Sequence, residues 1–243
     1  MLRVVCWKWK PADVYRSTFT AQHVNVLKSM VARNLRIEHE MVCITDDPAG
    51  IDPAVRCIKL WNDHARVPSP HGRGQPSCYR RLKAFSAEAA ELIGPRFVSL
   101  DLDVVITGDV TPLWDREEDF VIWGDTNPTT PYNGSMWLLR AGTRRQVWEQ
   151  FDPRMSPKLA LRCGYFGSDQ AWIGACLGPR EAKWTRADGV LSYRNDVRPT
   201  ALANRGKDMQ LPKGTRIVVF HGRYDPWTPE VMRRHSWVRE HWR

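Results

Sequence analysis

None of the six cysteines in this 243-residue chain forms a Cys-x-x-Cys pair; they stand at 6, 43, 57, 78, 163 and 176. That scatter excludes a zinc ribbon, a dithiol redox motif and a dense disulfide framework. It fits a reducing compartment, so the expected location is the cytoplasm. No apolar run approaches the roughly 20 residues that a membrane-spanning helix needs. The first stretch, Met1-Leu2-Arg3-Val4-Val5-Cys6-Trp7, is interrupted by Lys8 and Lys10, too early for the apolar core of a secretion signal. Internal repeats, low-complexity segments and a clear interdomain linker are also missing, which leaves a single domain as the expectation.

Acidic residues are in deficit. The 36 Lys and Arg outnumber 27 Asp and Glu, a formal charge of +9, and such a surplus attracts polyanionic or phosphate-bearing partners over long range. Hydrophobic residues make up 42% of the chain, enough for a packed core.

Apolar periodicity predicts strands at Leu2 to Trp7, Glu40 to Thr45 and Val55 to Trp61, and helices at Ser17 to Asn34 and Cys78 to Ile93. A loop rich in Pro68, Pro70, Gly72, Gly74 and Pro76 precedes the second helix, and such loops are often mobile. Strands alternating with helices imply an α/β fold with a largely parallel, doubly wound sheet. The second half reads as strands at Phe120 to Gly124, Ser135 to Arg140 and Arg216 to Phe220. Its helices are expected at Arg144 to Phe151, Asp169 to Cys176 and, as a basic tail, Pro229 to Trp242.

The segment Phe97 to Ile106 reads as one apolar strand carrying Asp101 and Asp103. Side chains alternate along a strand, so the two carboxylates are expected on one face. Two like charges on a buried element need compensation, which a hard divalent cation, Mn²⁺ or Mg²⁺, supplies with oxygen ligands. Ligands of doubly wound sheets bind at the carboxyl ends of strands, where Asp46 and Asp47 also fall. Farther on, the apolar run Ile217 to Phe220 ends in His221-Gly222-Arg223, placing an imidazole at a strand end as a candidate third metal ligand.

Four motifs in this order, Leu100-Asp101-Leu102-Asp103, Asn133-Gly134-Ser135-Met136, Gly167-Ser168-Asp169-Gln170 and Phe220-His221-Gly222-Arg223-Tyr224-Asp225-Pro226-Trp227, resemble those of GT-A-fold glycosyltransferases. The pattern is similar to glycosyltransferase family 8, the glycogenin-like and lipopolysaccharide galactosyltransferase-like retaining enzymes. The resemblance implies one GT-A domain over 1–243, with a nucleotide-binding half at 1–106 and an acceptor half at 107–243. It implies a nucleotide-sugar donor, with a UDP-sugar expected, and a metal held by Asp101, Asp103 and His221, Asp101 also meeting the ribose. Asp169 is implied beside the transferred sugar, with Gln170 and Asn133 in the catalytic set.

Where the family usually has Lys-Pro-Trp, this chain has Asp225-Pro226-Trp227, and Arg223 is the candidate to meet the diphosphate instead. Arg80 and Lys83, three residues apart, are candidates to face the nucleotide sugar. Asp46 and Trp7, at strand ends, complete the expected donor-binding set, since aromatic rings stack on bases and sugars. Each has a plainer reading: a solvated basic face for the pair Arg80 and Lys83, a turn at Asn133-Gly134, a helix cap for Ser168-Asp169 and core packing for most of the twelve tryptophans.

The acceptor stays open among a phosphorylated glycan, a lipid-linked sugar and DNA with modified bases. Arg and Trp interspersed along the basic tail could meet a phosphate backbone and an unstacked base. Two other classes compete: a metal-dependent nuclease or phosphoryl-transfer enzyme, which is short of extra carboxylates beyond Asp109 and Asp115, and a non-catalytic nucleotide- or DNA-binding protein on the same fold.

Overall fold

The computed structural model describes residues 1–10, 18–72, 74–124, 127–198 and 208–243. The chain begins with β1 (Leu2–Lys8), then α1 (Ala21–Asn34), β2 (His39–Thr45) and β3 (Arg56–Lys59). A 3-10 turn at Tyr79–Phe85 and the short α2 (Ala89–Leu92) precede β4 (Arg96–Leu100) and β5 (Val104–Ile106). There follow α3 (Thr111–Trp114), β6 (Phe120–Gly124), β7 (Tyr132–Arg140), α4 (Gln146–Glu149), α5 (Ser156–Arg162) and α6 (Asp169–Leu177). The chain closes with β8 (Ala182–Trp184), β9 (Val190–Ser192), β10 (Ile217–Val219), α7 (Pro229–Arg234) and α8 (Ser236–His241).

The main sheet has seven strands in the order β3-β2-β1-β4-β7-β6-β8, and only β7 runs against its neighbours. The mostly parallel sheet expected from the sequence is therefore present, and strands from both halves of the chain share it. Residue alternation explains its two apolar faces. Val4, Cys6, Met41, Cys43, Val98, Leu100, Met136 and Leu138 pack on one side with α1. Val5, Trp7, Val42, Ile44, Phe97, Trp137 and Leu139 pack on the other with the 79–85 turn and α6. Each such side chain taken from water contributes roughly 1.5–3 kcal/mol, so a strand apolar on both sides has no stable place at a surface.

Helix α1 follows the expected i, i+3, i+4 spacing, burying Val24, Leu27, Met30 and Val31. Thr20 opens it, with its backbone N–H donating to His23 Nδ1 at 2.9 Å. The expected start at Ser17 lies outside the described residues.

Three long elements read from the sequence break into shorter ones. Phe97 to Ile106 is not one strand: β4 ends at Leu100, the chain bends at Leu102–Asp103, and β5 enters a second sheet of order β5-β10-β9. There Val104, Val105 and Ile106 pair antiparallel with β10. Cys78 to Ile93 divides into the 3-10 turn and α2. The tail divides at His235, whose extended backbone (φ −123°, ψ 107°) carries its ring inward to Tyr193, where the Oη–Nε2 distance is 3.0 Å. The helix expected at 144–151 is reduced to Gln146–Glu149, and its start is delayed because Arg144 takes a left-handed conformation (φ 54°).

All six cysteines are unpaired thiols. No helix among the described residues is long and apolar enough to cross a membrane.

Candidate active site

At the carboxyl end of β4 the chain leaves the sheet through Asp101, whose backbone N–H donates to the Ser135 carbonyl at 2.9 Å. That bond joins β4 to an irregularity in β7. Ile122 of β6 faces Trp137, yet the next residue, Trp123, faces Asn133, so Gly134, Ser135 and Met136 bulge away from β6. Bulges re-aim the chain beside functional sites. This one brings the Gly134 backbone against the side chains of Arg81 and Asp169.

Arg81 joins the parts. Its Nε donates to Asp169 Oδ2 at 2.7 Å, Nη2 lies 2.7 Å from the same oxygen, and Nη1 donates to Asp101 Oδ1 at 2.5 Å. The Arg81 and Asp169 side chains are only 6% and 4% exposed, whereas Asp101 is 27% exposed. A β-carbon at Gly134 would sit 2.7 Å from Arg81 Nη2 and 3.4 Å from Asp169 Oδ2, so glycine is what admits the ion triad. Burial alone would lower the guanidinium pKa, but the attraction of Asp169 and Asp101 more than reverses it, and Arg81 stays charged. Burial pushes the Asp169 carboxyl up, with Arg81 opposing.

Asp169 opens α6, where the unpaired N–H groups of the first turn favour a carboxylate. Ser168 Oγ accepts from the Cys78 backbone N–H at 2.9 Å, tying the head of α6 to the turn that carries Arg81. Gln170 spans two segments: its Oε1 accepts from the Gly134 N–H and its Nε2 donates to the Phe166 carbonyl, both at 3.0 Å. Asn133 Oδ1 accepts from the Ser135 N–H at 2.9 Å, the turn-like bond that shapes the bulge. Arg81 and the Gly134 bulge thus bring Asp169, Gln170 and Asn133 into one neighbourhood with Asp101.

The donor-binding candidates are more dispersed. Trp7 is 4% exposed, donates its indole N–H to Ser99 Oγ at 2.8 Å, and meets Trp61 edge-on at 5.5 Å, so it packs in the core. Asp46 Oδ2 accepts from the Lys10 backbone N–H at 2.9 Å, closing the gap between β1 and β2. Lys83 donates to Asp63 Oδ2 at 3.0 Å, and Arg80 supplies its carbonyl to the Trp61 indole N–H at 2.7 Å. A 3-10 turn repeats every three residues, so Arg80 and Lys83 do share a face, but Lys83 is paired away from the triad.

Alternation along one strand cannot align Asp101 with Asp103, because the bend intervenes. Asp103 instead anchors the second sheet, its carbonyl accepting from the Phe220 N–H at 3.0 Å, which brings His221 beside it in the chain path. His221 Nε2 lies 2.7 Å from Ser192 Oγ, and its ring meets Trp123 edge-on at 5.7 Å. Burial, reinforced by the nearby Arg194, pushes His221 down to about 4, so its ring is neutral at neutral pH. No group of three or more His, Cys, Asp or Glu side chains among the described residues is gathered as a ready metal cluster.

Two cavities flank His221 and Trp123. One of about 310 Å³ is lined by Tyr193, Arg194, Arg198, His221, Arg223 and Tyr224. Arg198 and Arg223 lie over the Tyr224 ring at 5.6 and 5.7 Å. The other, about 220 Å³, includes Trp123, Pro131, Lys183 and Thr185 in its wall. Sequence reasoning missed Arg81, Arg194 and Arg198. The available signal for Arg81 was a lone charge among the inward-facing Tyr79, Leu82, Ala84 and Phe85.

In the basic tail, Trp237 is 5% exposed and Trp242 packs on Trp227 at 5.5 Å, so neither ring stands out as a stacking platform for a base.

The sheet order, with carboxylates at a strand end, is a mostly parallel α/β fold shared with solved glycosyltransferases. The chain is similar to the galactosyltransferase LgtC, solved with donor and acceptor sugar analogs, at 17% identity over 95% of this chain and 91% of LgtC, with a TM-score of 0.58. It is also similar to the bifunctional glycosyltransferase WbbM, at 13% identity over 95% of this chain and 47% of WbbM, TM-score 0.58. For the glycosyltransferase GlyE of Streptococcus pneumoniae the values are 12%, 94% and 57%, TM-score 0.53, so the chain spans about half of WbbM and GlyE. No family model and no curated protein matches the sequence.

Proposed function

We propose that the protein is a nucleotide-sugar glycosyltransferase that moves a sugar from a UDP-linked donor to an acceptor hydroxyl with the anomeric configuration kept. The carrying observation is the Arg81 clamp, one buried guanidinium fixing Asp169 and Asp101 at the strand end of a fold shared with LgtC, WbbM and GlyE. Enzymes gain most from charges fixed before the reaction begins, and Asp169, unable to turn, meets the sugar without reorganising. Its carboxylate orients sugar hydroxyls and stabilises positive charge growing at the anomeric carbon. Asn133 and Gln170 hold the backbone around it.

A divalent Mn²⁺ or Mg²⁺ fits the residues present. Asp101 and Asp103 offer hard oxygens, the neutral His221 ring has one unprotonated nitrogen, and Arg81, Asp101 and Asp169 together carry a formal charge of −1 that a cation would offset. Asp101, Asp103 and His221 would hold the metal, which when bound would neutralise charge on the departing diphosphate. Arg223, with Arg194 and Arg198 around the 310 Å³ cavity, supplies the positive charge that a lysine at Asp225 would otherwise bring. The +9 charge supports a polyanionic acceptor, such as a phosphorylated glycan or lipid-linked sugar.

The test is NMR of the anomeric proton during incubation with Mn²⁺, α-linked UDP-hexoses and simple sugar acceptors. The expected result is an α-linked product, with Asp169→Asn losing turnover by a factor on the order of 10²–10³ while donor affinity is kept. Cleavage of DNA with Mg²⁺ and no sugar turnover would replace this reading with the phosphoryl-transfer one.

A further inference from the structure

Five large hydrophobic side chains are exposed among the described residues, and four of them, Met155, Leu159, Leu161 and Phe166, belong to one stretch around α5, each 42–56% exposed. Scattered single apolar residues on a surface are ordinary, but this concentration is not. The inner side of α5 is satisfied: Ser156, Pro157 and Ala160 are buried, and the helix packs on α6. Met155, Lys158, Leu159 and Arg162 follow the i, i+3, i+4, i+7 spacing of one helical face, and Lys158, Leu159 and Arg162 are all exposed with Met155.

The charge around the apolar side chains is mostly positive. Arg154, Lys158 and Arg162 are exposed, and among the described residues none of them is in an ion pair. Asp152, beside Arg154, spends its Oδ1 on the backbone N–H groups of Arg154 and Met155. An apolar face edged by cations suits an anionic lipid surface, where apolar side chains enter the headgroup boundary and cations meet lipid phosphates. A second copy of this chain, at +9 overall and presenting the same cations, would be repelled.

We propose that the α5 face docks the protein on an anionic membrane surface. The placement has a consequence: Phe166 stacks on His71 at 4.1 Å, and its carbonyl accepts from Gln170, next to Asp169. Docking here brings the head of α6 toward the lipid, a fitting approach for a lipid-carried acceptor. That consequence rests on the transferase reading; the docking does not.

The test is co-sedimentation with vesicles of phosphatidylcholine alone and of equal parts phosphatidylcholine and phosphatidylglycerol. Wild type is expected to pellet with the mixed vesicles only. A Met155→Asp/Leu159→Asp variant is expected in the supernatant with its thermal shift on UDP and Mn²⁺ intact, which separates loss of docking from loss of the donor site. Lys158→Ala and Arg162→Ala should each lower vesicle affinity about fivefold. Hydrogen exchange on wild type needs no substitution: amides of 154–166 should slow on mixed vesicles. Wild type left in the supernatant, a doubly substituted protein that still pellets, or a dimer in sedimentation velocity that Leu159→Asp dissociates would each overturn the proposal.

Discussion

Replacing Arg81 with Met keeps the length of the side chain and removes its charge, leaving Asp169 ionised at 4% exposure with its main cation gone. Breaking a buried pair from one side costs about 3–5 kcal/mol, because the stranded charge keeps its desolvation penalty. For a chain of this size each kcal/mol lowers Tm by roughly 2–4 °C, so the variant should melt about 6–20 °C below wild type. Arg81→Lys keeps a point charge but loses the fork that reaches both carboxylates, and should cost about 1–3 kcal/mol.

The decisive arm is the double variant Arg81→Met/Asp169→Asn. With Asp169 neutral and only the part-exposed Asp101 left without its cation, it should be more stable than Arg81→Met alone, recovering about 2 kcal/mol of coupling. The pH dependence follows from the same cause. In Arg81→Met the Asp169 carboxyl, already raised by burial, loses the cation that opposes this, so its folded pKa climbs further above the unfolded value near 3.9. Such a group favours folding when protonated and loses that contribution as pH rises through the folded value, so the deficit of the variant should shrink between pH 7 and 5. Urea denaturation at each pH measures it. A single variant costing under about 1 kcal/mol, or a double variant no more stable than the single, would refute the claim that the triad is held by this charge balance.

Gly134→Ala should lose about 1–3 kcal/mol, because the new carbon lies 2.7 Å from a guanidinium held at both ends; turnover at a temperature where the variant is fully folded should fall further than stability explains. Trp7→Phe should cost about 1–3 kcal/mol by orphaning Ser99 Oγ in the core, while calorimetric donor affinity stays unchanged. His235 is buried and its pKa lies below the usual imidazole value, burial being the main cause, with Arg234 and Arg239 adding and Asp208 opposing. A depressed pKa contributes stability that is complete above about pH 6.5 and lost as pH falls toward the folded value, so wild-type Tm should drop on acidification below 6.5. His235→Gln should flatten part of that drop, the remainder coming from His23, His64, His221 and His241, which are depressed in the same direction.

The sheet was legible because β1, β2 and β4 are apolar on both faces, a pattern with one physical solution. The DxD segment was misread as a single strand. Val104 to Ile106 are as apolar as Phe97 to Leu100, and nothing in a hydrophobic run marks the bend that sends it into another sheet. Asp169 and Gln170 were singled out through motif order, and the structure places them beside Gly134 and Arg81, whereas Arg81 itself was passed over for its neighbours Arg80 and Lys83. A charge inside a helical pattern is ordinarily solvated, and only the approach of Gly134 and Asp169, 53 and 88 residues on, makes this one buried. Trp7 went astray the other way: a strand-end aromatic can stack on a ligand, but the Ser99 hydroxyl and the Trp61 ring claim it. Arg194 and Arg198 had no local signal, since β10 and its pairing with β9 bring them to His221.

Donor binding is read most directly as the Tm shift of wild type and Asp103→Ala with UDP, GDP, CDP and dTDP, each with and without Mn²⁺. Ligand at about 100 times Kd stabilises the native state by about 2.7 kcal/mol, so UDP with Mn²⁺ should raise wild-type Tm by roughly 5–10 °C and leave Asp103→Ala nearly unmoved. No shift with any nucleotide, or the same shift in Asp103→Ala, would contradict it.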